Sequence, residues 1–397
     1  MRFDFIPFFN AGENIPWDRV MRMMREQTQI AEQAKFTTVW VTEHHFAHNG
    51  YLNAAPNPIL VCADLAAHSK TIRVGQAPVV LPDRHPLQVA EDIALLDNMT
   101  GGRVDFGAGK GINERVSIQF NIEADRRDDD KCYALFRESL DIIVRAWTED
   151  PFKYKGRFYQ LPVPGWKEPN RFFEPFDKRY YAEDGEYVGM YIHPRPLQKP
   201  HPPVWLMSNS PYTHKFAAEN GYGVICFGTS LGMIRESWVA YRDALSAREN
   251  RTVPLGRGVG LCTPIFVADT MEEAERLIRP SVNSYWEYIS GSRPAGEWSR
   301  RGYLAKGETL SSRDQESDWF DFLQAHGVVW VGTADYLIEK IAEARETIGL
   351  DHFVMLQQHP GVPYAKIRAS MEKFIERVVP KFGTLPATED SALALAV

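Results

Sequence analysis

Three observations predict an α/β protein built as a barrel of eight strands with helices between them. Strand-period and helix-period runs take turns along the chain, the pattern of crossover units that build a parallel sheet. The strand-like runs number eight. The 397 residues, 44% of them hydrophobic, fall within the ~200 to more than 400 residues that a single barrel occupies, although division by a typical domain size gives about two to three domains. Eight strands favour closure, while the count alone also fits an open doubly wound sheet.

Arg2 to Phe9 reads as the first strand, Val20 to Ala34 as a helix and Thr37 to Thr42 as the second strand. The unit repeats with helix Pro58 to Ala67, strand Ile72 to Leu81, helix His85 to Met99 and strand Val104 to Ala108. A helix from Leu135 to Trp147 precedes strand Val204 to Met207, a helix beginning at Thr213 and strand Val224 to Phe227. Helix Met233 to Ala247, strand Val259 to Val267, helix Met271 to Ile289 and strand His352 to Leu356 complete the set. Two segments break the alternation. Glu149 to Pro203 is rich in Pro, Gly and aromatics and too long for an ordinary connection. Ser290 to His326 is polar with embedded aromatics, a composition suited to a lid over a pocket. The prediction is therefore one domain over residues 1–382, with an insertion at 149–203, a lid at 290–326 and a frayed tail at 383–397.

With 45 Lys+Arg against 52 Asp+Glu the net charge is −7, which argues against a nucleic-acid binder, since tracking phosphates needs clustered cations. No apolar run reaches the length of a membrane span, and MRFDFIPFFN lacks the apolar stretch of a signal peptide. A soluble, cytoplasmic protein without membrane association is expected. Cys62, Cys132, Cys226 and Cys262 are scattered without ligand spacing, so buried thiols are expected rather than disulfides or zinc.

Four local features carry chemistry. Glu43-His44-His45-Phe46 directly follows the second strand, at the barrel edge where active sites form. Residues leaving a strand alternate, so at most one histidine should face a pocket, and two structural histidines would explain the motif equally well. Gly107-Ala108-Gly109-Lys110-Gly111 ends the fourth strand: its glycines permit close backbone approach and its lysine suits a phosphate, although a plain turn explains it as well. It is neither a Walker loop nor GxGxxG. Ser208 to Thr213 places Ser210 as an N-cap before Pro211, leaving helix amides and hydroxyls for an anion. Ala77-Pro78 lies inside the third strand, where proline demands a bulge, a strand end or a cis bond. His85, His193, His201 and His359 form no metal pair, so no metal is assigned, and no nucleophile elbow is present.

These features occur in this order in the bacterial luciferase-like flavin-dependent monooxygenases, which this chain resembles over nearly its whole length. The matching stretches are FTTVWVTEHHF (Phe36 to Phe46), VGQAPVVLPDRHPLQVAEDIALLDNMTGGRVDFGAGKG (Val74 to Gly111) and PPVWLMSNSPYTHKFAAENG (Pro202 to Gly221), with a weaker one at VGTADYL (Val331 to Leu337). The resemblance implies a luciferase-like (β/α)8 TIM barrel with insertions in the loops of its C-terminal face. It makes His44, with Glu43 beside it, the catalytic pair. Ala77-Pro78 becomes the bulge against a flavin ring, and Met207 the strand residue beneath it. Lys110, with Ile112 nearby, stands for a phosphate-contacting arginine, and Ser210 and Thr213 for phosphate-binding hydroxyls. Asn209, counted with the cofactor residues, replaces the luciferases' glutamate, and Gly109 replaces a reactive cysteine.

The implied chemistry uses reduced FMN as cosubstrate, with FAD or a deazaflavin as lesser candidates, and O2, through a flavin hydroperoxide. A small hydrophobic organic substrate would be oxygenated, and a separate flavin reductase would supply the flavin transiently or by free diffusion. The alternatives are deazaflavin-dependent hydride transfer and a non-catalytic flavin-binding subunit. A homodimer through Ile59–Ala67 and His85–Met99 is expected by the same resemblance.

Overall fold

The computed structural model describes residues 1–7, 14–46, 54–112, 114–170, 174–291, 299–357 and 359–383. Eight parallel strands close on themselves. They are β1 (Arg2–Ile6), β2 (Thr38–Val41), β3 (Arg73–Gln76), β4 (Val104–Gly109), β5 (Val204–Met207), β6 (Gly223–Phe227), β7 (Val259–Val267) and β8 (His352–Leu356). Each pairs with the next, and β8 returns to β1 in the register Arg2↔His352 to Ile6↔Leu356. Closure excludes the open sheet. The helices that matter to the site are α1 (Trp17–Gln33), α2 (Pro58–Ala67), α3 (Pro86–Thr100), α4 (Glu114–Phe120), α5 (Asp129–Thr148), α6 (Pro211–Asn220), α7 (Leu231–Glu249) and α8 (Met271–Gly291).

Three expectations change. The third strand breaks where Ala77-Pro78 is cis: Arg73–Gln76 lies between β2 and β4, and a two-residue piece, Val79–Val80, resumes pairing at Ala108 and Gly109. Proline has no N–H for the ladder, so the strand must step around it. A further short strand at Trp330–Gly332 pairs with the last three residues of β7. The nine-residue run of β7 therefore pairs with three strands, β6, β8 and Trp330–Gly332, which a count of runs cannot show. Finally, the segment 290–326 contains two helices, α9 (Ser312–Glu316) and α10 (Trp319–Ala325), with Phe320, Phe322 and Leu323 buried. Arg279 of α8 pairs with Asp318 and Asp321 there. Residues 8 and 9 of the first expected strand, residues 292–298 of the expected lid and tail residues 384–397 lie outside the described residues.

The N-terminal end of the barrel is plugged. Trp40 and Trp205 lie edge to face at 6.0 Å. Each sits over a glycine of the next strand: a Cβ on Gly75 would be 2.4 Å from the Trp40 ring, and one on Gly223 2.4 Å from the Trp205 ring. Below them, buried Asp4 accepts hydrogen bonds from the Arg2 guanidinium, the Thr38 N–H and the Trp40 indole, and His352 Nε2 lies 2.8 Å from it. Arg2 also reaches Asp105, which Arg73 clamps through two nitrogens. Burial alone would raise the Asp4 pKa, but Arg2 and His352 together hold it well below the usual carboxylate range. All four cysteines are buried and free.

Candidate active site

At the opposite end the strand termini enclose a cavity of about 1150 Å³, above the ~300–1,000 Å³ of ordinary ligand pockets. Its floor is Ile6, Ile225, Cys262 and Val354, and all ten residues singled out from the sequence line it: Glu43, His44, Ala77, Pro78, Lys110, Ile112, Met207, Asn209, Ser210 and Thr213. The barrel gathers them because successive strands deliver their C-terminal ends to one face.

Both histidines line the cavity, contrary to the one-faced expectation. Alternation holds only along an extended strand, and β2 ends at Val41, so His44 and His45 belong to a loop. His45 turns to Glu43, with Nε2 2.8 Å from the carboxylate. Glu43 is fully employed: it also accepts from the Val80 N–H at 3.0 Å and the Arg84 guanidinium at 2.8 Å. It is thus a buried clamp that positions the loop after β3. His44 is half-buried, and its backbone N–H donates to Ala55.

The glycines after β4 serve the bulge. A Cβ on Gly107 would lie 1.6 Å from the Gln76 carbonyl oxygen, and one on Gly109 2.4 Å from Pro78 Cγ. Their absent side chains let β4 press against the cis Ala77-Pro78 step, which faces the cavity.

A polar corner lies between β4, α5 and α6. Lys110 Nζ meets Asp129 at 2.6 Å, and Arg126 shares that carboxylate at 3.2 Å. Burial raises the Asp129 pKa, but Lys110 and Arg126 outweigh it and the net shift is downward. Arg137 donates to the Tyr212 hydroxyl. Helix α6 begins at Pro211 as predicted, but Ser210 makes no side-chain cap bond, so its hydroxyl and the first amides of the helix are left to a ligand. Behind them buried His214 contacts the Ser210 carbonyl and Cys226 Sγ; burial lowers its pKa to about 4, keeping it neutral. Asn209 departs from expectation. Its amide spans the backbone N–H and C=O of Phe227, so it staples β5 to β6 and has no spare N–H pair for a phosphate.

The sequence model of the luciferase-like monooxygenases matches residues 1–352. The chain belongs to that family. Among relatives, it is 26% identical over 388 residues, 96% of either chain, to the flavin-dependent trigonelline monooxygenase, oxygenase component, of Acinetobacter baylyi. The fold matches the oxygenating constituent of 3,6-diketocamphane monooxygenase from Pseudomonas putida, solved with FMN, at a TM-score of 0.74 and 22% identity over 97% of this chain and 99% of that one. It also matches an F420-dependent secondary alcohol dehydrogenase, at 0.65 and 15% over 96% and 99%.

In this luciferase-like monooxygenase, sequence reasoning passed over several cavity residues. Arg137 lies in the helix expected from Leu135 and Arg126 just before the observed start of α5 at Asp129; neither belongs to a motif, and only the closed barrel brings them to the cavity. Arg126 Nε and the Tyr133 hydroxyl are buried without a hydrogen-bond partner, Tyr133 facing Thr213. Asp83 also lines the cavity with both oxygens unpartnered. None of the described residues of 299–326 lines it; on that side the wall is Tyr285 and Ile289 of α8. No metal-holding cluster occurs among the described residues, and no described helix is long and apolar enough to cross a membrane.

Proposed function

We propose that this monooxygenase binds reduced FMN, delivered by a separate reductase, and uses O2 to oxygenate a small, largely apolar organic molecule. The observation that carries the reading is the uncapped start of α6, whose Ser210 and Thr213 line the same cavity as Lys110, Arg126 and Arg137. Hydroxyls, helix amides and cations lining one cavity suit a phosphate, and the unpartnered Arg126 Nε supplies one more buried donor. The volume leaves room for a flavin and a second organic molecule together. The FMN in the diketocamphane enzyme and the words "oxygenase component" in the trigonelline enzyme's name support the cofactor and the separate reductase.

Bound in reduced form, FMN would supply the two electrons that activate O2. The chain's own residues do the rest. Lys110, Ser210 and Thr213 hold the phosphate, and Ala77-Pro78 and Met207 form the shelf for the ring. The apolar floor excludes water, and His44 exchanges protons at the reacting oxygen. Leu60 on α2 and Leu95 and Met99 on α3 are exposed apolar side chains and support a homodimer through these two helices.

Flavin fluorescence titration tests the cofactor: FMN should bind about tenfold or more tightly than riboflavin, and Lys110→Met should remove most of that difference. Equal affinity for the two flavins overturns the phosphate assignment. Oxygen uptake separates monooxygenation from hydride transfer to a deazaflavin, since only the former consumes O2 when reduced FMN and a substrate are supplied.

A further inference from the structure

We propose that Asp83 is the proton-carrying carboxylic acid of this active site, a role that Glu43, the carboxylate its motif singles out, is not free to take. The proposal rests on the cavity being a reduced-flavin site.

Asp83 ends the short turn Leu81–Asp83 and faces the cavity. Glu43 pins that turn on both sides, through the Val80 N–H before it and the Arg84 guanidinium after it. The turn is therefore held in place while Asp83 itself accepts nothing: both of its oxygens are buried and unpartnered. The groups facing it are Glu43 and His45 beyond β2, Arg84 next in the chain, the Ser117 hydroxyl of α4 outside hydrogen-bonding geometry, and Cys132 of α5. Burial pushes its pKa up to about 6; the Ser117 hydroxyl is the strongest opposing pull, the Glu43 charge adds a smaller push upward, and His45 and Arg84 oppose more weakly still. Two neighbouring carboxyls in such different surroundings take different roles, one a hydrogen-bonded clamp and the other an unpartnered acid.

In the net reaction FMNH2, O2 and substrate become FMN, water and oxygenated substrate, so the water takes two electrons and two protons from the reduced flavin. Asp83 in its acid form gives one proton to the oxygen that leaves as water. The carboxylate it becomes takes back the proton released as the flavin returns to FMN.

Heat unfolding of the flavin-free protein tests the state of the acid without chemistry. A raised carboxyl pKa penalises the fold only above the unfolded value, so wild type loses stability relative to Asp83→Asn as pH rises from about 4 to about 8. The Tm difference should widen by roughly 2–4 °C in favour of the variant; a constant difference overturns the proposal. FMN affinity of Asp83→Asn should stay within about twofold of wild type. When protein loaded with photoreduced FMN is mixed with aerated buffer, flavin reoxidation should show an inflection near pH 6 in wild type. That inflection should vanish in Asp83→Asn with a rate loss of about 10²-fold and return, displaced, in Asp83→Glu. Persistence of the wild-type inflection in Asp83→Asn overturns the proposal. Failure of wild type to bind FMN overturns the flavin reading, and the proposal with it, in an arm separate from the others.

Discussion

Asp4 and Asp83 are two buried carboxyls at opposite ends of one barrel. Asp4, in the N-terminal plug, meets Arg2, the Thr38 N–H, Trp40 and His352, and its pKa is held far down. Asp83, at the mouth, has the Ser117 hydroxyl nearby but no hydrogen bond formed to either oxygen, and burial raises its pKa to about 6. A charge surrounded by partners contributes to the fold, whereas one left bare costs stability and persists where a ligand or a proton is its partner. The plug therefore determines stability and the mouth determines chemistry. Substitutions in each should show one effect without the other.

The largest effect is expected in the plug. Asp4→Asn removes the nearer of the two carboxylates that pair with Arg2, leaving only Asp105, and urea unfolding should show a loss of about 3–5 kcal/mol. The same pair makes the protein acid-sensitive in a defined sense. A depressed carboxylate pKa adds stability that is present above the unfolded value of about 3.8 and is lost as pH falls below it, so wild type should lose more stability than Asp4→Asn when pH drops through that range. Next comes the mouth: His44→Ala should cut the oxygenation rate about 100-fold while leaving the urea midpoint unchanged. A shifted midpoint with unchanged rate would move His44 to the structural side of the comparison.

Gly109→Ala probes the boundary between the two regions. Its Cβ would lie 2.4 Å from Pro78 Cγ, so it should cost about 1–3 kcal/mol in unfolding and weaken FMN binding as well. The smallest effect sharpens the contrast most. An N-cap serine ordinarily contributes about 1 kcal/mol to its helix, yet Ser210 makes no cap bond. Ser210→Ala should therefore leave stability within about 0.5 kcal/mol while weakening FMN roughly tenfold and riboflavin hardly at all; a normal capping loss would return Ser210 to the fold.

The repeating architecture was legible because it is written locally. Helix α2 and strands β5, β7 and β8 fall on the boundaries read from apolar periodicity, and Ala77-Pro78 announced the break in the third strand. Trp330–Gly332 was missed because three residues hold less than two periods of alternation, and its pairing with β7 is set only by the folded sheet. The glycines of Gly107-Ala108-Gly109 suited a ligand or a plain turn equally, since the chain does not reveal that they lie against Gln76 and Pro78, some thirty residues earlier.

By itself, then, the sequence determined the order of strands and helices, the edge at which polar residues gather and the family they belong to. Period, proline and glycine act over a few residues. Only the tertiary structure decided how those polar residues divide their work. Glu43 is claimed by Arg84 and Val80 from the next strand's loop, Asn209 by Phe227 of β6, and Lys110 by Asp129 of α5. Asp83, in the turn that Glu43 pins, is left without a hydrogen-bond partner. Hydrogen-bond partners are chosen by distances of about 3 Å between segments that meet only when the barrel closes, and it is that choice which separates a clamp from an acid.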